Sequence, residues 1–320
     1  MMRTRGLDQV QELGHDLDRP ECVHCTAQGD VFVSDWRGGV TRIRPDGSQT
    51  LIRGDRPIRT NGFAILPDRS FLLAHLDDQE GGVWRLSLDG RLEPFLLEVD
   101  GRPLPPTNFV FSDGERTYIT VSTRLVPRGS ARKPGHADGF IVCKDKHGTR
   151  IVAEGLGFTN EAKIDPSGQW LYVNETFAKR TSRFPVRANG DVGARQVFAE
   201  YPHGVFPDGL DFDAEGGVWI TSIYSNRLIH VAADGRQHVM LEDNDPEFVD
   251  GIEQAFVRGS LAEAGNPRVP AVRIRNLSSS AFGGHDLRTI FLGCLQDERI
   301  YRMPSPVAGA RPPHWEVRFP

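Results

Sequence analysis

Six oxygen-bearing residues stand at nearly the same distance before an aromatic residue. Glu21 lies 11 positions before Phe32, Asn61 10 before Phe71 and Asn108 10 before Tyr118. Asn160 lies 12 before Tyr172, Asp208 11 before Trp219 and Ser280 11 before Phe291. Each sits at or near the start of an apolar run, as in RPECV, RTNGFAIL, PPTNFVF, FTNEAKI and FPDGLDF. If these positions are structurally equivalent, six oxygen-bearing side chains converge on one axis. Such a set suits a hard divalent cation. Two carboxylates with amide carbonyls and waters make a normal calcium shell, and magnesium or manganese takes oxygen ligands as well. Facing carboxylates repel, and a divalent ion removes that cost. A zinc site built on Cys or His is disfavoured, because the ring holds neither. Any one of these residues could simply cap a turn at a strand start, Asn61 and Ser280 above all. Six in register, two of them acids, point to a cation.

The elements that must position this ring are strands. Six stretches repeat one pattern, beginning at Gly29, Arg69, Glu115, Gly168, Gly216 and Leu287. Each has a glycine-bearing turn, a short run rich in Val, Ile, Phe, Tyr or Trp, a variable loop, a second such run and a further turn. Asp-Gly and Asn-Gly pairs accept the positive φ of tight hairpins. The marker aromatics are 39, 47, 54, 47 and 72 residues apart. A repeat of this length with four strands per unit predicts an all-β, six-bladed β-propeller with a central metal-binding channel, in which the strand before each marker is innermost. The chain is expected to form one domain over residues 1–320. The 54-residue step holds an inserted loop, VPRGSARKPGHA. The 72-residue step holds a helical insertion at about 243–265. Residues before Glu21, or the last run WEVRFP, are expected to fasten the ring.

Composition narrows the functional classes. The 320 residues carry a net charge of -5 with no long basic run, so neither nucleic acid nor an anionic membrane is an expected partner. No apolar run has the length of a membrane span, and the N-terminus lacks the apolar core of a secretory signal. The four cysteines, Cys22, Cys25, Cys143 and Cys294, are too few for a disulfide scaffold and read as reduced thiols of a cytoplasmic protein. Cys22-x-x-Cys25 has no second pair to complete a zinc site. The chain has no G-x-S-x-G nucleophile elbow, phosphate loop or dinucleotide fingerprint.

The stretches GLGFTNEAKIDPSGQWLYVNET, GVFPDGLDFDAEGGVWI and SSSAFGGHDLRTIFLG together resemble the senescence marker protein/gluconolactonase/luciferin-regenerating enzyme-like family. The likeness runs from about Pro20 to Met303. It implies a six-bladed propeller with one divalent metal held by Glu21, Asn160 and Asp208, with Asn108 beside it to orient water or substrate. Calcium is the first choice; zinc, manganese and magnesium are alternatives. The implied activity is lactone hydrolysis on a small-molecule substrate, with the metal polarising the carbonyl and Asp208 as base. The competing readings are a non-enzymatic, calcium-holding binding propeller and an organophosphate hydrolase on the same metal. The chain departs from the family pattern at Glu161, where glycine commonly follows the blade-four Asn. It departs also at Phe109, where Asp commonly follows the blade-three Asn, and at Pro106, where sugar-lactone enzymes can carry Arg. These changes put a sugar lactone in doubt and leave a less polar lactone open. Arg124, in the blade-three loop closed by Asp138, is expected to contact substrate. His24, His203 and His285 lie near channel-entry segments and are more often packed or surface residues. Asn226 is expected to close a turn between strands.

Overall fold

The computed structural model describes Thr4 and residues 6–320. Its strands form six four-stranded antiparallel sheets arranged as the blades of a propeller, with one small extra two-stranded ribbon. The innermost strands are Val23–Cys25, Thr60–Ile65, Thr107–Ser112, Thr159–Ile164, Phe206–Phe212 and Leu277–Gly283. Each is followed by the strand that carries a marker aromatic. Phe32, Phe71, Tyr118, Tyr172, Trp219 and Phe291 are all buried between blades. The alternation of aromatic and β-branched residues therefore serves a sheet covered on both faces.

The sixth blade is closed by the start of the chain. Gln11–Leu13 pairs antiparallel with Ile300–Pro304, with Leu13 opposite Ile300. The last run, WEVRFP, adds no strand but fastens the first blade. Phe319 packs against Phe32 with ring centroids 4.4 Å apart, and its backbone N–H donates to Gln28 at 2.7 Å. Arg42 donates to the Pro320 carbonyl at 2.6 Å.

The inner strands are irregular at the end where the polar ring lies. Pairing register shifts between Thr60 and Phe63, Thr107 and Phe109, Thr159 and Ala162, Pro207 and Leu210, and Leu277 and Ser279. Each shift adds a residue to the inner strand and re-aims a side chain, the usual effect of a β-bulge. The shifts fall on Asn61, Asn108, Asn160, Asp208 and Ser278. Blade six therefore corrects one expectation: the equivalent position is Ser278, and Ser280 pairs lower down with Leu292. The blade-six turn is as long as that of blade five, but Phe291 sits one rung further from its turn than Trp219 does, so eleven positions back from Phe291 stops two residues short of Ser278.

The helical insertion forms one helix, Pro246–Val257. Asp245 caps it by accepting from the Phe248 N–H at 2.9 Å, and proline occupies its first turn. Its buried residues Val249, Ile252 and Phe256 face the propeller, where Phe256 stacks with Phe177 at 5.8 Å. The blade-three insertion forms a short turn of 3-10 helix, Arg128–Ala131, whose Ala131 is buried in the same apolar cluster. Arg132 donates to the Gly265 carbonyl at 2.6 Å and to Asn266 at 2.7 Å, so the two insertions are tied together. No described helix is long and apolar enough to cross a membrane.

Candidate metal centre and its cavity

Glu21 sits just before its strand, on a segment held by neighbours on both sides. Cys22 donates to Ser34 at 2.9 Å, and Ser278 donates to the Glu21 carbonyl at 3.1 Å. Gly293 is required here, because a Cβ would lie 2.1 Å from that carbonyl. The Glu21 carboxylate accepts from Asn61 Nδ2 at 2.7 Å and from Arg19 Nη1. Arg19 also donates to Asn61 Oδ1 at 2.8 Å and lies 4.3 Å from the Trp36 ring centroid. Asn61 thus orients Glu21, and it donates onward to the Asn108 carbonyl at 2.9 Å.

On the other side of the channel Asn160 Nδ2 donates to Asp208 Oδ1 and to Thr176 at 3.0 Å. Thr176 donates in turn to the Pro207 carbonyl at 2.7 Å, and Asn174 donates to the Asp208 carbonyl at 3.1 Å. This network fixes Asn160 with its carbonyl oxygen left over. Glu21, Asn108, Asn160 and Asp208 are all at most 6 % exposed. Asn108 Oδ1, Asn108 Nδ2 and Asn160 Oδ1 are buried without any hydrogen-bond partner. Buried amide atoms are seldom left so, since the desolvation cost is uncompensated. Burial pushes the Asp208 carboxyl well above the usual carboxylate range, and the negative charges of Glu21 and Glu161 push it further. Two carboxylates and an orphaned amide oxygen around one channel fit a hard cation. Glu21, Asn160 and Asp208 are the residues that would hold it. Among the described residues no group of three His, Cys, Asp or Glu forms an alternative site.

Glu21, Asn160 and Asp208 line a cavity of about 380 Å³ at this end of the channel. Its walls include Trp36, Phe158, Phe177 and Tyr224, and the two insertions supply Arg128, Arg132 and Asn266. Arg128 retains its charge at neutral pH: burial and the neighbouring Arg132 bring its pKa down only to about 10.

Arg124 is a correction. It does not line the cavity; it donates to Glu154 at 2.5 Å across the outer surface and lies over the Phe140 ring. The preceding strand ends at Val121, and the Arg124 backbone N–H donates to Asp138 at 3.0 Å in the loop beyond it. Arg128, four residues on, reaches the cavity instead. The wide step between aromatics marked this loop, but no periodicity within it said which arginine points inward. His203 pairs with Asp250 at 2.7 Å and His285 is exposed. Neither lines the cavity.

A second cavity of about 260 Å³ lies at the opposite ends of the same inner strands. It is lined mainly by apolar side chains, with His24, Lys163, Asp211 and His314. Glu161 occupies the bulge position that is glycine at Gly62 and Gly209. It is buried, accepts from the Leu210 N–H at 3.2 Å and pairs with Lys163 at 3.3 Å. The four cysteines are free and buried.

The profile of the SMP-30/Gluconolactonase/LRE-like region matches residues 60–242. The chain belongs to this family. It is 23% identical over 274 residues to the 6-deoxy-6-sulfogluconolactonase of Pseudomonas putida, a match that covers 82% of this chain and 77% of that protein. Solved structures share the fold. A gluconolactonase from Xanthomonas campestris superposes with a TM-score of 0.68 at 20% identity, covering 95% of this chain and 94% of that one. A luciferin-regenerating enzyme gives 0.71 at 13% identity over 96% and 99%. The calcium-binding regucalcin of Agrobacterium tumefaciens gives 0.68 at 17% identity over 99% and 98%.

Proposed function

We propose that this protein is a metal-dependent lactonase acting at the Glu21–Asn160–Asp208 end of the channel. The observation that carries this reading is the buried pair of carboxylates with the orphaned Asn160 amide oxygen at the wall of one cavity. Its relation to a sulfogluconolactonase supports the lactone as substrate class, and its likeness to a calcium-binding propeller supports calcium as the ion. When bound, the cation supplies Lewis acidity to a carbonyl oxygen and countercharge to a developing oxyanion.

The chain's own residues do the rest. Asp208 takes a proton from the attacking water. Asn108, whose amide donor and acceptor are both free, orients that water or the lactone. Asn61 and Arg19 hold Glu21 in place. Phe158, Phe177 and Tyr224 exclude bulk solvent from the reacting ester and strengthen every polar interaction inside. Water adds to the carbonyl carbon, the ring C–O bond breaks, and the alkoxide leaving group takes up a proton to give an open hydroxy acid.

A lactone panel assayed with and without chelator tests this reading, with calcium, zinc, manganese and magnesium each restored in turn. Hydrolysis is expected only in the metal-loaded protein. Asp208→Ala is expected to reduce it by more than the roughly 10- to 100-fold that loss of even an outer-shell partner costs. It is expected also to weaken calcium binding in calorimetry while the β-sheet circular dichroism is unchanged. Full activity in Asp208→Ala overturns the assignment.

A further inference from the structure

Four arginines line the cavity, and two of them have acidic partners. Arg19 meets Glu21, and Arg59 pairs with Asp77 at 3.1 Å. Arg128 and Arg132 differ. Among the described residues neither pairs with a carboxylate. Arg128 lies 4.5 Å from the Phe158 ring centroid, gives one donor to Ser122 at 3.1 Å, and has its buried Nε without a partner. Its backbone N–H donates to Asp78 at 2.9 Å, which fixes the turn that aims it. Arg132 donates only to neutral oxygens, those of Gly265 and Asn266. Both line the cavity that holds Glu21 and Asp208.

A guanidinium withdrawn from water without a counter-ion is costly, and two on one short turn repel each other. With the proposed divalent cation in place, Glu21 and Asp208 would be neutralised by it and would not serve as counter-charges for the two arginines. The missing counter-charge must come from outside the chain. A guanidinium presents a planar fork of donors that matches a carboxylate or sulfonate edge-on. Tyr224 adds a hydroxyl at the same wall with no hydrogen-bond partner among the described residues.

We propose that Arg128 and Arg132 form a subsite for an oxyanionic substituent, a carboxylate or sulfonate, carried by the substrate away from its lactone ring. The subsite takes the place of the arginine that is absent at Pro106 and selects charged lactones over neutral ones. The word substrate here rests on the lactonase reading; the anion site itself does not.

Two measurements on the full-length, metal-loaded protein test it. The first is the ratio of kcat/KM for an aldonolactone bearing a terminal carboxylate or sulfonate to that for its neutral parent. The ratio is expected to favour the charged lactones in the native protein. It is expected to fall at least about tenfold in Arg128→Gln and in Arg132→Gln, chiefly through KM, and to recover in part in Arg128→Lys. Comparing the two charged lactones shows which anion is preferred. The second is calorimetric titration with a short hydroxyalkyl carboxylate and sulfonate, which need no turnover. Binding is expected in the native protein and is lost in Arg128→Gln. An unchanged ratio in both glutamine variants, or binding that ignores Arg128, overturns the subsite. If no lactone is turned over but anion binding still depends on Arg128, the lactonase reading falls and the anion site stands.

Discussion

Asn108 carries two buried amide atoms that meet nothing in the protein, and such a residue costs stability wherever it is kept. Replacing it with a near-isosteric apolar side chain removes the unmet hydrogen-bonding demand. Asn108→Leu is therefore expected to leave the melting temperature unchanged or slightly raised, while lactone hydrolysis falls about 10- to 100-fold, the loss typical of an orienting partner. A coincident fall in stability would show that Asn108 is structural. His314 is a different buried group, beside the second cavity. Burial, reinforced by the charge of Lys163, brings its pKa down from 6.5 to about 3. The folded protein thus holds a neutral imidazole that the unfolded chain protonates more readily. Its stabilising effect is complete above pH 6.5 and is lost as the pH falls from there towards 3. The urea midpoint is expected to drop across that window, and less steeply in His314→Gln. His24, 4.6 Å away and also held below its ordinary value, contributes to the remaining slope.

The element that makes the ring is the bulged start of the inner strand. In blade five, Asp208 and Gly209 together face Thr221 across the ladder. A Cβ on Gly209 would stand 2.5 Å from the Ser278 carbonyl, so this glycine permits the close approach of blades five and six. Gly209→Ala is expected to destabilise the protein by about 1–3 kcal/mol, read from chemical unfolding, and to disturb Asp208 at the same time. Much of this was legible in the residues alone. Marker aromatics identified the second strands, and Glu21, Asn61, Asn108, Asn160 and Asp208 fell in register because their hairpins differ little in length. Ser280 failed because Phe291 sits one rung further from its turn than Trp219 does, so the same count stops two residues short and Ser278 takes its place. Asn226 was readable as a turn-closing residue: it donates to the Asp243 and Ile274 carbonyls and accepts from the Leu277 N–H. The loop arginines were not readable. A strand repeats every two residues and betrays its buried face, whereas the Arg124–Arg132 segment has no period, and its aim is set by Asp78 and Asn266 from distant parts of the chain.

At the scale of the molecule, the propeller is a closed ring joined at two places by its ends. Gln11–Leu13 completes blade six, and Phe319 with Pro320 locks onto blade one. Phe319 fills a space between Phe32 and Phe71, so Phe319→Ala leaves a cavity at the join. A loss of about 3 kcal/mol is expected, measured by unfolding in denaturant, with the larger part in faster unfolding if the join forms late. The roof over the cavity is joined in another way. Arg132 reaches from the blade-three insertion to Gly265 and Asn266 of the blade-five insertion, and both belong to one apolar cluster. The two loops, more than a hundred residues apart, therefore behave as one heritable module. A graft that moves only one of them into a related propeller would bring half a lock. Recombination breakpoints that keep residues 126–137 and 243–270 together are the ones along which new specificities could be exchanged without loss of the scaffold.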